Sequence, residues 1–272
     1  SVMFDTWLAR WNLEPDGEPM VTHSSRLLPV LYRGRPAMLK IACETEERFG
    51  PVLMRWWDGD GAMPVLEHEG DALLLERALG TRSLAAMARD GRDDEASRII
   101  CDVAARLHAP RSKPLPELVP LERWFEALWP GAGRYGGVVA RAAAVARELL
   151  DEPQELCVLH GDLHHDNVLD AGESGWRAID PKRLHGERGF DFANIFCNPD
   201  IHVATAPGRL ARQAYIVAEA AGLERPRLLR WILAYAGLSA TWILDDGDPA
   251  DLDLAVARLA VAELAGGEIG RV

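Results

Sequence analysis

The chain has 272 residues, which is long enough for one sizeable core or for two lobes that share an interface. Hydrophobic residues make up 48% and charged residues 26%, proportions that exclude a disordered or fibrous chain. The formal net charge is −12, and the acidic excess is present both before and after Leu79. No basic surface for a nucleic-acid backbone is therefore expected, whereas a small cation would be attracted.

No uninterrupted apolar run approaches the ~18–20 residues that cross a bilayer, so we expect no membrane partner and no membrane span. The first residues lack the basic and then apolar pattern of a secretory signal. The cysteines are widely separated and form no Cys-x-x-Cys pair: Cys43, Cys101, Cys157 and Cys197. These features predict a cytoplasmic protein with reduced thiols, and we expect it to be a monomer without a nucleic-acid partner.

The first part of the chain is predicted to be rich in β-strands. Short apolar runs at 27–31 and 37–41 are joined by Arg33-Gly34-Arg35-Pro36, which is typical of a hairpin turn. A helical pattern covers 44–57, and Gly50-Pro51 is expected to interrupt it because proline loses a helical hydrogen bond. A further strand is predicted at 72–75, just before a hinge.

The second part is predicted to be mainly helical. Residues 94–108 place five apolar side chains on one helical face, and Ala109-Pro110 ends that helix. Further helices are predicted at 121–129, 138–150, 208–221, 227–244 and 249–264. The sequence thus predicts an N-terminal nucleotide-binding lobe at 1–79 and a larger helical lobe for catalysis and substrate binding at 80–272.

One short β-rich segment within the helical part carries the strongest functional signal. It contains His160-Gly161-Asp162, then Asn167, a loop of turn-forming residues at 170–175, and Asp180. The apolar runs on either side of the loop should pair as an antiparallel hairpin, which brings Asn167 and Asp180 to the same end. An amide oxygen and a carboxylate suit Mg²⁺, which prefers oxygen ligands and keeps several waters.

Asp162 lies five residues before Asn167 on the adjoining loop. A carboxylate there can orient an incoming hydroxyl and accept its proton late in a loose phosphoryl-transfer transition state. Two other interpretations compete with this one: Asp162 and Asn167 could be turn formers only, and His164 and His165 could belong to a zinc hydrolase. The spacing of His160, Gly161 and Asp180 favours catalysis over the first. The second is disfavoured because the cluster lacks the spaced second histidine pair and the clear third ligand site of such enzymes.

This pattern resembles the catalytic loop of protein-kinase-like phosphotransferases, and its histidine-rich middle resembles the aminoglycoside phosphotransferase branch. Only ten residues separate Asp180 from Asp191, too few for a long activation segment, which favours a small-molecule kinase. The resemblance is to the streptomycin 6-kinases, grouped with the hydroxyurea phosphotransferases, and covers nearly the whole chain. Further segments that carry it include Trp56-Trp57-Asp58-Gly59, Leu73–Ala78, Ala105–Pro110, Gly189–Phe196 and Leu228–Ile232.

The resemblance implies an α+β, bilobal, protein-kinase-like fold with a small antiparallel-sheet N-lobe and a larger helical C-lobe. It also implies phosphorylation of streptomycin at its 6-hydroxyl, which inactivates the antibiotic, with ATP between the lobes and Mg²⁺ held by Asn167 and Asp180. His160 is expected to support the loop by packing and a backbone hydrogen bond. Asp191 is expected to brace the catalytic loop or to cap the helix that follows it.

The nucleotide contacts implied by the resemblance lie in the first lobe. Lys40 ends the second predicted strand and would neutralise phosphate charge, with Glu47 as its ion-pair partner. The segment Thr22-His23-Ser24-Ser25 stands where a glycine-rich phosphate loop would otherwise be expected. The further expected nucleotide contacts are Ser24, Ser25, Glu76 and Ala78.

Acidic residues are the candidate contacts for a cationic substrate. Asp245 and Asp246 begin an acidic run without Lys or Arg, which is either a solvated helix start or a surface for the two guanidinium groups of streptomycin. Glu187 and Asp200 are further candidates. Two functional alternatives stay open: a kinase of another small hydroxyl substrate, such as hydroxyurea or a sugar, and a non-catalytic nucleotide-binding module.

Overall fold

The computed structural model of the protein describes residues 2–44 and 49–269. Its strands are β1 (Leu13–Pro15), β2 (Met20–Val21), β3 (Ser25–Tyr32), β4 (Arg35–Ala42), β5 (Val65–Glu69), β6 (Ala72–Glu76), β7 (Val119–Pro120), β8 (Leu156–Leu159), β9 (Val168–Asp170), β10 (Trp176–Ala178) and β11 (Leu184–Glu187). Its helices are α1 (Val2–Arg10), α2 (Gly50–Trp57), α3 (Leu84–Arg89), α4 (Asp93–His108), α5 (Leu121–Trp124), α6 (Leu128–Tyr135), α7 (Gly137–Asp151), α8 (Phe190–Ala193), α9 (Ile201–Ala204), α10 (Arg209–Ala221), α11 (Arg225–Asp245) and α12 (Asp251–Ile269).

A six-stranded antiparallel sheet forms the N-terminal part, in the order β1-β3-β4-β6-β5 with β2 paired to β3. Arg33 and Gly34 connect β3 to β4 with φ values of 52° and 77°. Two positive φ values match the twist of the paired strands, so the predicted hairpin is confirmed. Leu74 faces one side of the sheet with α1, whereas Leu73 and Leu75 pack on the other side in the larger core.

Helix α2 begins at Gly50, the position where the sequence predicts an interruption of a helix. Pro51 lies in the first turn of α2, where its missing N–H has no helical acceptor to lose. A Cβ on Gly50 would lie 2.9 Å from the carbonyl oxygen of Pro181, so glycine lets the helix start touch the chain just after Asp180. The part of the predicted helix at 45–48 lies outside the described residues.

The C-terminal part is mainly helical, as predicted. Helix α11 is buried along most of its length and packs against α7, α8 and α12. The predicted helix at 121–129 is instead two short helices, because Phe125 ends α5 and buries its ring completely against Phe190 and Trp231. Sequence reasoning also missed the short helix α3, whose N-cap is the side chain of Ser83. None of the described helices is both long enough and apolar enough to cross a membrane.

The crossing of α7 and α11 depends on a glycine, and we expect Gly237→Ala to destabilise the protein. The added Cβ would lie 2.2 Å from the Cβ of Ala142, so the helices must separate, at a cost of about 1–3 kcal/mol. Gly266→Ala in α12 is the matched control: no heavy atom lies within 4 Å, so it should be neutral or stabilising by up to about 1 kcal/mol. Urea unfolding of both variants measures this, and equal stabilities would contradict the packing argument.

The chain that connects sheet and helices is held by the hairpin β9–β10. The Gly80 N–H donates to the backbone oxygen of Asp170 at 2.9 Å. Both the backbone N–H and the Nε of Arg82 donate to the Asp170 carboxylate, at 3.2 and 3.0 Å, and these bonds lower the pKa of Asp170. The proposed lobe boundary at 79/80 falls in this connection, which joins the sheet to the hairpin of the candidate site.

Candidate active site

The hairpin β9–β10 places Asn167 and Asp180 at one end, as the turn residues predict. Val168 pairs with Ala178 in the antiparallel register, and the N–H of Ile179 donates to the carbonyl oxygen of Asn167 at 2.9 Å. Asp180 follows directly, with φ at 56°, a left-handed conformation that is unusual for a residue with a side chain. Such conformations persist where the surrounding structure imposes them, often at functional sites.

Two side-chain amides hold the carboxylate of Asp162. Asn167 Nδ2 donates to Asp162 Oδ2 at 3.2 Å and to the backbone oxygen of Asp162 at 2.8 Å. Asn194 Nδ2 donates to Oδ1 at 3.0 Å. The Asp162 side chain is still 35% exposed, so the oriented carboxylate remains accessible from solvent. Sequence reasoning gave Asn194 no role, although it lies within the Gly189–Phe196 segment already singled out.

Asp191 is fully buried and holds the backbone of the loop that carries Asp162. Its carboxylate accepts the backbone N–H groups of His160 and Gly161, both at 2.8 Å, and pairs with His108 Nε2 at 2.7 Å. Burial raises the pKa of Asp191, but the hydrogen bond and charge of His108, with further contributions from His160 and Gly161, outweigh it and lower the pKa. These contacts are those expected of a bracing residue; His108 was not foreseen.

His160 is also fully buried, and its ring hydrogen bonds fix its tautomer. Nδ1 accepts the N–H of Asp162 at 3.0 Å, so the proton lies on Nε2, which donates to the carbonyl oxygen of Ile179 at 2.7 Å. Burial lowers the pKa of this imidazole, which favours the neutral ring. The ring therefore links the loop of Asp162 to the strand end that precedes Asp180.

His164 and His165 do not form the start of a metal cluster. His165 is buried, and burial together with Arg209 lowers its pKa to about 3. His164 Nδ1 accepts the backbone N–H of Asp166 at 3.2 Å. Across residues 2–44 and 49–269, no three His, Cys, Asp or Glu side chains gather as a metal site, so the zinc-hydrolase interpretation gains no support.

On the nucleotide side, Lys40 and Asp180 form an ion pair although they are 140 positions apart. Lys40 is only 9% exposed and lines a small cavity of about 10 Å³ between the sheet and α2. The cavity also borders Asp180 and the start of α2 at Gly50 and Pro51. Glu47, the expected partner of Lys40, lies outside the described residues.

The other expected nucleotide contacts lie at strand ends and in the lobe connection. Ser24 precedes β3 and is half-buried; Ser25 begins β3 and is buried, with its N–H donating to Thr22 Oγ1 at 3.1 Å. Glu76 ends β6 with an exposed side chain, and Ala78 lies two residues further along. The roles of these residues stay predictions.

Glu187 has an internal network in place of the substrate contact that was expected. Arg227 binds its carboxylate with two nitrogens at 2.7 and 2.8 Å, and Trp231 Nε1 donates at 2.7 Å. The backbone N–H of Gln154 donates at 2.8 Å. Burial raises the pKa of Glu187, but these donors outweigh it and lower the pKa. We therefore leave Glu187 out of the proposed substrate site.

The remaining acidic candidates also have partners of their own or lie at the surface. Asp200 caps α9 by accepting the N–H of Val203 at 2.9 Å, and it accepts Arg89 Nε at 2.8 Å. Asp245 accepts Arg134 NH1 at 2.5 Å, and Asp246 is exposed where α11 ends. These contacts give Asp200 and Asp245 structural roles, and a substrate role for any of the three stays a prediction.

The chain is similar to known proteins along most of its length. Residues 10–247 match the family described as aminoglycoside/hydroxyurea antibiotic resistance kinase. A streptomycin 3″-kinase from Klebsiella pneumoniae is 53% identical over 262 residues, which cover 93% of this chain and 98% of that protein. A streptomycin 6-kinase from Streptomyces griseus is 34% identical over 272 residues, which cover 93% and 85%.

A solved structure shows the same fold at low sequence identity. It is a thermostable mutant of aminoglycoside phosphotransferase APH(4)-Ia, solved as a ternary complex with AMP-PNP and hygromycin B. The TM-score is 0.68 at 14% identity, and the match covers 97% of this chain and 99% of that one. The expected bilobal, protein-kinase-like α+β fold is thus confirmed. The chain belongs to the aminoglycoside/hydroxyurea antibiotic resistance kinase family.

Proposed function

We propose that this protein is an ATP-dependent kinase that phosphorylates a hydroxyl of streptomycin and so inactivates the antibiotic. The observation that carries the proposal is the amide-held carboxylate of Asp162, whose partner Asn167 lies at the same end of the hairpin as Asp180. Similarity to streptomycin kinases over nearly the whole chain supports the substrate. The net charge of −12 also suits a cationic drug.

Nucleotide phosphates would lie between Lys40 and the end of the hairpin. The Lys40 ammonium, already paired with Asp180, is placed to neutralise phosphate charge. The donor set fits Mg²⁺: Asp180 offers a carboxylate, and Asn167 donates its Nδ2 to Asp162, so its amide oxygen points away from that carboxylate. When bound there, Mg²⁺ would offset negative charge on the transferred phosphoryl group.

Asp162 orients the acceptor and takes its proton. The drug's hydroxyl oxygen forms a bond to the γ-phosphorus while the bond from that phosphorus to the bridging oxygen of ADP breaks. ADP leaves with the electron pair of that bond, and the hydroxyl proton moves to the Asp162 carboxylate. Asn167 and Asn194 each donate to one oxygen of that carboxylate, so its plane is set before the substrate arrives.

We place the 3″-hydroxyl first as the acceptor, ahead of the 6-hydroxyl expected from the sequence resemblance. The reason is the difference in sequence identity: this chain is 53% identical to a streptomycin 3″-kinase and 34% identical to a streptomycin 6-kinase, over comparable lengths. The family description also includes hydroxyurea, which keeps a smaller acceptor as the second candidate.

The test is to incubate the protein with Mg-ATP and streptomycin and to analyse the product. Mass spectrometry should report one added phosphoryl group, and NMR should show phosphorus coupled to the proton at carbon 3″. Coupling at carbon 6 would instead restore the original expectation. Parallel ADP-release assays with hydroxyurea and simple sugars test other acceptors, and absence of ADP release with any acceptor would favour the non-catalytic nucleotide-binding module.

A further inference from the structure

His164 lies in the catalytic loop, and its ring has a defined orientation. It precedes the 3₁₀ turn at His165–Asn167, and its Nδ1 accepts the backbone N–H of Asp166 at 3.2 Å. A ring nitrogen that accepts a hydrogen bond carries no proton, so the proton of the neutral ring lies on Nε2. Because the hydrogen bond that caps the turn uses Nδ1 as its acceptor, Nε2 is a hydrogen-bond donor.

That donor faces the carboxylate of Asp162 without binding it. Nε2 lies 3.8 Å from Asp162 Oδ1, too far for a hydrogen bond. Asp162 does not need this donor, since Asn194 and Asn167 already donate to its two oxygens. No other acceptor for Nε2 is found in the described part of the chain. His164 is 17% exposed and Asp162 is 35% exposed, so both side chains are accessible to solvent at this position.

We propose that His164 is a second catalytic residue, which donates its Nε2–H to a non-bridging oxygen of the phosphoryl group during transfer. This inference rests on the proposed kinase function. The acceptor oxygen lies against Asp162 as it attacks phosphorus, so the oxygens of the phosphoryl group come within reach of a donor about 4 Å from the same carboxylate. A preorganised donor at the site of developing charge is a large source of catalysis.

The proton on Nε2 stays on the ring throughout the step. The bonds formed and broken are the same as in the proposed reaction without His164. The acceptor oxygen bonds to phosphorus, ADP leaves with the electron pair of the broken bond, and Asp162 receives the hydroxyl proton. His164 contributes only a hydrogen bond that is stronger in the transition state than with bound ATP. Its removal should therefore lower kcat while leaving substrate affinity nearly unchanged.

A simpler explanation is that His164 only caps the 3₁₀ turn, and two variants separate the explanations. In His164→Asn, the amide oxygen can still accept the Asp166 N–H, but the side chain is too short to place a donor at the Nε2 position. In His164→Gln, the longer amide can place a donor near that position while the cap is weakened. A capping role therefore predicts that the Asn variant is the better enzyme, and a catalytic role predicts that the Gln variant is.

The experiment measures kcat and KM for ATP and streptomycin by ADP release, with thermal unfolding of each variant. We expect His164→Asn to lose about 10²-fold in kcat with KM values within about threefold. The kcat of His164→Gln should be at least about tenfold higher than the kcat of His164→Asn. His202→Asn, at an exposed histidine of α9, is the control and should behave as wild type.

Affinity for ADP with aluminium fluoride and streptomycin provides a readout that does not depend on turnover. His164→Asn should weaken this transition-state complex but not the binding of ADP alone. A kcat near wild type in the Asn variant, or an Asn variant faster than the Gln variant, would overturn the inference. If wild-type protein releases no ADP with streptomycin, the proposed function itself fails, and this inference fails with it.

Discussion

Asp162→Asn is expected to lower the turnover of streptomycin by about 10³-fold or more while the fold is kept. An asparagine amide cannot accept the hydroxyl proton. It can still accept one of the two hydrogen bonds from Asn167 and Asn194, so the loop should keep its shape. Turnover is measured by ADP release with ATP and streptomycin saturating, and nucleotide affinity by calorimetry should change less than about threefold.

The matched control for this variant is Asp166→Asn. Asp166 lies in the same loop but its side chain is exposed, so loss of its charge should leave kcat near that of wild type. Comparable losses at both positions would point to a general electrostatic effect of the loop. Near-normal turnover in the Asp162 variant would contradict the mechanism directly.

Asp191→Ala is expected to cause the largest loss of stability, about 3–5 kcal/mol of unfolding free energy. The change leaves the buried N–H groups of His160 and Gly161, and the ring of His108, without their shared acceptor. In a domain of this size such a loss corresponds to a fall in Tm of about 10 °C. Urea unfolding and calorimetry check it, with Asp248→Ala at an exposed loop position as the control.

The same residue predicts a pH dependence with a definite sign. The folded-state pKa of Asp191 is lowered, so its ionised form stabilises the fold at pH values above the ordinary pKa of an unfolded aspartate, ~3.9. This contribution is lost as the pH falls below that value toward the folded-state pKa. The difference in stability between wild type and Asp191→Ala should therefore shrink below about pH 4. A difference that instead grows there would contradict the assignment.

The hairpin that carries the candidate site could be predicted because its geometry is local. Turn-forming residues between two short apolar runs dictate how the chain reverses, and the reversal alone brings Asn167 and Asp180 to one end. The β3–β4 hairpin and helix α4 were predictable for the same reason, since each is encoded by neighbouring residues. Pro51 is a local signal of the same kind, since proline suits the first turn of a helix and α2 begins at Gly50.

Contacts between distant segments could not be predicted in this way. Asn194 contacts Asp162 directly, and His108 supports the same loop through Asp191. Both lie in segments that carry the family resemblance, but their neighbouring residues do not specify these contacts. The acidic run makes the same point. Asp246 is exposed, whereas Asp253 is only 6% exposed and accepts Ser239 Oγ at 2.6 Å, and burial raises its pKa. The amino-acid sequence near Asp246 and Asp253 does not predict this difference in burial.

The sequence by itself determined the class of fold, the chain reversal that brings Asn167 and Asp180 to one end of a hairpin, and the family, because motif spacing and hydrophobic period are local properties of the chain. Only the tertiary structure decided which charged side chains are paired inside the protein and which remain accessible to solvent. Lys40 meets Asp180, Glu187 is held by Arg227, and Asp162 is held by two amides, because packing of the sheet against the helices brings together residues far apart in sequence. Burial then sets the electrostatic cost of each charge, and this cost depends on neighbours that the linear sequence does not specify.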